Sequence, residues 1–69
     1  MRVTIRTRSP DGRHHAEEFE SEPAGRKVLD TLLEAHRASG LTVAVDRVVY
    51  LVTDREGNFV QRLEFKQTD

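Results

Sequence analysis

The chain contains no cysteine, so neither a disulfide nor a thiolate metal site can supplement its core. It also lacks an excess of one charge, because 11 basic and 12 acidic side chains leave a net −1. Nucleic-acid binders draw much of their affinity from neutralising phosphates and usually show a basic surplus, so a nucleic-acid partner is disfavoured. No run approaches the roughly 18 apolar residues of a membrane helix. Met1-Arg2-Val3-Thr4-Ile5 opens no apolar stretch of signal-peptide length. The expectation is a cytoplasmic protein with no membrane association. Aromatic residues make up only 6% of the chain, and none stands among the first arginines, where stacking of bases would need one.

What is present is patterned. Sixty-nine residues make one domain, 1–69, near the lower limit for folding on a single core. Apolar residues are 36% and charged residues 33%, lean for a monomer but arranged with clear periodicities. A chain this short without covalent staples often gains burial by pairing with a copy of itself or with a partner.

Residues 2 to 8 alternate strictly, with Val3, Ile5 and Thr7 on one face and Arg2, Thr4, Arg6 and Arg8 on the other. That is the period-two pattern of a half-buried strand. Ser9-Pro10-Asp11-Gly12 then supplies a tight turn, with Pro10 to Gly12 as a three-residue loop. This register sets Val3 opposite Phe19, Ile5 opposite Glu17, Thr7 opposite His15 and Ser9 opposite Arg13. The alternative, with Ser9 inside the loop, sends Phe19 to the face away from Val3 and Ile5 and wastes its burial. On the outer face the preferred register opposes Arg2 to Glu20 and Thr4 to Glu18, with Arg6 diagonal to Glu18.

Ser21-Glu22-Pro23-Ala24-Gly25 breaks the strand, and a helix is expected from about 26 to 39, closed by Gly40, its start open by about three residues because Pro23 or Gly25 can belong to a first irregular turn. Val28, Leu29, Leu32, Leu33 and His36 form its apolar stripe. From residue 41 to 65 the composition changes: 13 of these 25 residues are apolar, against five of the first 22, which places most of the core-forming material in the second half. Residues 41 to 45 and 48 to 53 are strand-like, joined through Asp46-Arg47 as a bulge or short turn. Asp54 to Asn58 forms a second hairpin loop with Gly57 in the role of Gly12. An unbroken register from that loop pairs Thr53 with Phe59, Leu51 with Gln61 and Val49 with Leu63. The expected fold is α+β, a ββαββ order with one helix on a four-stranded mixed or antiparallel sheet: hairpin 1–21, helix 26–39, hairpin 41–66.

The run Phe19-Glu20-Ser21-Glu22-Pro23-Ala24-Gly25-Arg26-Lys27-Val28-Leu29-Asp30-Thr31-Leu32-Leu33-Glu34 resembles the strand-to-helix passage of β-grasp domains, among them ubiquitin-like proteins, sulfur carriers and plant-type ferredoxins. The resemblance covers residues 1 to 37 well and the remainder by element order. It implies first and last strands side by side, and a small domain that acts as a binding module. The chemistry of those families does not transfer. There is no cysteine to ligate an iron–sulfur cluster, and Lys66-Gln67-Thr68-Asp69 stands where a Gly-Gly tail would be needed.

Catalytic and metal signatures are absent. His14 and His15 are adjacent on a strand and point to opposite faces, so they cannot readily share a metal. Glu17, Glu18, Glu20 and Glu22 read as a charged edge rather than a paired-carboxylate site. Ser9, Thr31 and Ser39 have no base or orienting group in reach of a sequence argument. An enzyme would need an oligomer that built a cleft around His15, Glu17 or His36. No cofactor is expected.

Two surface readings remain. In the unbroken register Val49, Leu51, Phe59, Leu63 and Phe65 face the helix, and Val48, Tyr50, Val52 and Val60, with Arg62, are left on an uncovered face. Such a patch is of the size that marks association sites, and Tyr and Arg are enriched in interface hot spots. The leading expectation is a non-enzymatic protein-binding or regulatory module that docks Val48, Tyr50, Val52, Val60 and Arg62 on a protein partner or in a homodimer. The alternative is a nucleic-acid or phosphate binder that uses the stripe of Arg2, Arg6, Arg8 and Arg13.

Overall fold

The structure is a computed structural model and describes residues 1–68. Its order is β1 (Val3–Arg8), β2 (His14–Phe19), α1 (Glu22–Ala38), β3 (Thr42–Asp46), β4 (Val49–Thr53) and β5 (Phe59–Gln67). The strands form a single sheet in the order β2-β1-β5-β4-β3, antiparallel at every junction. The expected sheet of four strands is thus corrected to five. Residues 47 and 48 make a true two-residue reversal, so the segment taken as one arm of a hairpin is two paired strands. Arg47 adopts φ 56° there, the left-handed geometry that tight hairpins demand.

Helix α1 lies on one face only. It packs the stripe Gly25, Leu29 and Leu33 on a core of Val3, Ile5, Tyr50, Val52, Leu63 and Phe65. Val28 is half-buried at the rim of this stripe, while Leu32, expected inside it, is 37% exposed. The helix begins four residues earlier than expected. Ser21 caps it by accepting the Ala24 N–H at 3.3 Å, and Pro23 occupies the first turn, where its missing N–H costs nothing. Gly25, read as a breaker, is the helix's closest approach to the sheet. A Cβ there would collide with the Val3 side chain and come within 3.1 Å of Phe65. At the other end Leu41 N–H bonds to His36 C=O and Gly40 N–H to Arg37 C=O, the paired closure that satisfies the last carbonyls.

The two distant hairpin loops share one construction. Ser9 N–H bonds to Arg13 C=O and Asp54 N–H to Asn58 C=O, both at 3.0 Å. Gly12 and Gly57 sit at φ 87° and 84°, as the turn chemistry requires. The β1–β2 register is the one expected, Val3 to Phe19 through Thr7 to His15. Phe19 packs partly buried against the core, and Glu17, opposite Ile5, is exposed.

Candidate functional site

Among the described residues no second layer covers the face of the sheet opposite α1, and its chemistry depends on the register of β4 against β5. Thr53 pairs with Phe59, but Val52 pairs with Gln61, Leu51 with Arg62, Tyr50 with Leu63 and Val49 with Glu64. A bulge thus opposes two residues of β5 to one of β4, and one extra residue exchanges the faces of everything beyond it. Four of the five residues expected to form the docking patch move as a result or lie elsewhere. Tyr50 and Val52 belong to the core, at 8% and 0% exposure. Val60 is partly buried against that core. Val48 is 48% exposed at the tip of the β3–β4 reversal, off the sheet face. Arg62 alone stays on the open face, where its cross-strand neighbour is Leu51 rather than Tyr50.

The register composes the open face in rows that run across the sheet. One row reads Ala44, Leu51, Arg62, Arg8, His14, and the next reads Asp46, Val49, Glu64, Arg6, Ala16. The β3–β4 end is aliphatic and the β5–β1–β2 end is charged. At the aliphatic end of this face Leu51 is 40% exposed, and Val45, opposite Tyr50 on the helix side of β3, is 57% exposed. Strand β3 is an edge: its far side pairs with no strand among the described residues. Its sequence Thr-Val-Ala-Val-Asp carries a single charge, at its end, and has none of the lysines, prolines or inward charges that blunt exposed edges.

At the charged end Arg8 lies directly opposite Arg62, and His14 flanks Arg8 on its other side. Directly opposed side chains stand about 5 Å apart at Cβ, and like charges there are destabilising. Arg6 lies opposite Glu64 on the same face. The Arg62 guanidinium reaches Glu64 at 3.8 Å, a long contact at a half-buried, solvent-reached site and worth little. Arg6 and Arg8 form no ion pair or hydrogen bond among the described residues, so the expected Arg6–Glu18 diagonal is not made. A shallow depression of about 180 Å³ lies between these groups, lined by Arg6, Thr7, Arg8, His14, Arg62 and Glu64. Arg13, the fourth member of the expected stripe, leaves it: it sits in the β1–β2 loop and pairs with Asp11 at 3.2 Å. Arg62 takes its place, from β5, the last strand, which pairs with β1.

The remaining candidate residues do not gather into a metal or catalytic site among the described residues. His14 and His15 face opposite sides of β2, and among the described residues no cluster of three His, Asp or Glu side chains could hold a metal ion. His36 Nε2 lies 2.9 Å from Gln61 Oε1 and ties the end of the helix to β5. Arg26 Nη1 donates to Tyr50 Oη at 3.0 Å, and its guanidinium lies 4.5 Å from the Phe65 ring centroid. This closes the core beside a hollow of about 310 Å³ that Glu22, Val48 and Lys66 help to line. No described helix is long and apolar enough to cross a membrane. Compared with known proteins, the chain matches no family model, no curated protein and no solved structure.

Proposed function

We propose that this chain is a small non-enzymatic binding module that works through the β3 end of its sheet, by edge-to-edge pairing with a second copy of itself. The observation that supports it most is the unguarded edge: a five-residue strand with exposed Val45 and Ala44 and unpaired backbone groups along one side. Antiparallel pairing of two such edges about a twofold axis satisfies those groups and joins two five-stranded sheets into one. Leu51, one strand in from the edge on the open face, leaves apolar surface beside the seam. The edge is short, so the association belongs to the weak, reversible class. Kinship with β-grasp domains is part of the same proposal and is supported by residues 19 to 34 alone, since β1 and β5 lie side by side but antiparallel, and a cytoplasmic location belongs to it as well.

Light scattering on size-exclusion fractions over a concentration series tests the reading, with wild type beside Val45→Lys. The wild type is expected to shift reversibly towards a dimer as concentration rises, and the variant to remain a monomer with an unchanged far-UV spectrum. A wild type that stays monomeric at millimolar concentration removes self-association. Tyr50→Glu, the natural choice if Tyr50 were on the surface, would only damage the core.

A further inference from the structure

We propose that Arg6, Arg8 and Arg62, with His14, form a binding site for the phosphate group of a small ligand, separate from the β3 edge. Three strands deliver these side chains to one patch of the open face, because Arg8 is opposed by Arg62 on β5 and by His14 on β2, and Arg6 lies one row away. Three guanidinium groups and an imidazole meet only one carboxylate, Glu64, in the depression they line. The chain as a whole is nearly neutral, so this surplus is local. Arg6 and Arg8 have no partner among the described residues, and Arg62 has a contact of 3.8 Å. Their donors are thus available, and a phosphate dianion seated between the opposed guanidinium groups would turn their repulsion into attraction.

Arginine suits this role because its planar fork offers two parallel N–H donors to neighbouring oxygens. Strand positions hold the forks more firmly than loop positions would. The same surroundings argue against a nucleic-acid strand. No Phe, Tyr or Trp side chain shares the two rows that carry the cluster, so bases would lack the large aromatic platforms that single-strand binders use. The cluster also spans two rows rather than a groove long enough to follow a backbone. The ligand class that fits is a compact phosphate.

Amide-detected NMR titration of the wild type with inorganic phosphate, against sodium chloride of matched ionic strength, provides the test. Saturable shifts are expected at residues 6, 8, 14 and 62, together with a rise in melting temperature of a few degrees at saturating phosphate. Arg8→Gln and Arg62→Gln should each weaken phosphate binding about tenfold, the loss of one charge-assisted bidentate contact. Arg13→Gln should bind as wild type does. Without phosphate, Arg8→Gln should melt at or above the wild-type temperature, since it relieves a like-charge pair; a lower melting temperature would mark a structural role and overturn the proposal. So would shifts that chloride reproduces, or shifts that persist in the Gln variants. A short oligothymidylate that binds more than about tenfold tighter than phosphate would assign the cluster to nucleic acid instead.

Discussion

Strands β2 and β3 close opposite ends of the same sheet, and they treat the exposed edge in opposite ways. β2 reads His-His-Ala-Glu-Glu-Phe and places polar or charged groups on both of its faces, so a strand that approached it would meet an ionisable side chain at four of its six positions. β3 reads Thr-Val-Ala-Val-Asp and offers β-branched and small side chains with one terminal acid. Charge on an edge raises the cost of adding another strand, and its absence leaves the backbone ladder open. The open face follows the same gradient, from Ala44 and Leu51 at one end to Arg8 and His14 at the other. Strand β5 marks the divide, with Arg62 and Glu64 facing out and Leu63 and Phe65 facing in. One end of the sheet is thus suited to another strand, and the other to a small anion.

The division rests on the bulge between β4 and β5, and a pair of neighbours can break it. Tyr50 is 8% exposed and Leu51 is 40% exposed. Tyr50→Ala should therefore cost about 3–5 kcal/mol, because it opens a cavity and removes the hydroxyl that accepts from Arg26. For a domain of this size that leaves little stability at room temperature. Leu51→Ala should cost no more than about 0.5 kcal/mol. Urea unfolding of the two variants measures the contrast. Equal losses, or a larger loss at Leu51, would restore the unbroken register and return Tyr50 and Val52 to the surface.

That register is also where sequence reasoning reached its limit. The β1–β2 hairpin was legible because one face is apolar and the other charged, so only one pairing buried Phe19 with Val3 and Ile5. The β4 segment Val-Tyr-Leu-Val is apolar on both faces and carries no such instruction. Strand β5 misled, since Phe59, Leu63 and Phe65 share a phase and invite a pairing without a bulge. The deciding signal lay in β3. Val43 and Val45 alternate with Thr42, Ala44 and Asp46, and a two-residue reversal at Arg47-Val48 sets Val43 opposite Val52, Val45 opposite Tyr50 and Asp46 opposite Val49. Asp46 cannot face the core, so Val49 cannot either. Once the reversal is recognised as a turn, the faces of β4 follow. The helix start was legible only to within about a turn, because Pro23 and Gly25 both lower helix propensity while one serves as a first-turn residue and the other as a point of close packing. The arginine cluster needed the β1–β5 pairing, a contact between the two ends of the chain that no local pattern specifies.

The charged half of the sheet can be sharpened at Thr4. It lies on the open face between Glu18 and Lys66, yet it is 4% exposed and its hydroxyl has no hydrogen-bond partner among the described residues. A buried hydroxyl without a partner carries its desolvation cost uncompensated. Thr4→Val keeps the shape and removes that cost, so it should stabilise the fold by about 1 kcal/mol and raise the melting temperature by about 4–8 °C. Calorimetry that found a lower melting temperature would show that the hydroxyl has found a partner, such as an ordered water.

The smallest effect compares the two hairpin loops, which share backbone bonds and differ in their aspartates. Asp11 Oδ1 accepts one backbone N–H, from Arg13. Asp54 Oδ1 accepts two, from Asn58 at 2.8 Å and Glu56 at 3.0 Å, and its Oδ2 accepts from the Asn58 side chain. These donors, the Asn58 N–H foremost, hold the Asp54 carboxyl below its ordinary value against the opposing effect of desolvation. A carboxyl whose value is depressed in the folded state contributes stability that is present in full above the unfolded value, about 3.9. That contribution is lost as the pH falls through the lower folded value. Asp54→Asn should therefore melt below the wild type at neutral pH, and the gap should narrow below about pH 4. Asp11→Asn, which weakens one backbone contact rather than two, should lower the neutral-pH melting temperature less. A gap at Asp54 that stays constant from neutral pH to pH 2 would mean that the loop depends on the shape of the side chain and not on its charge, which would make the two loops equivalent after all.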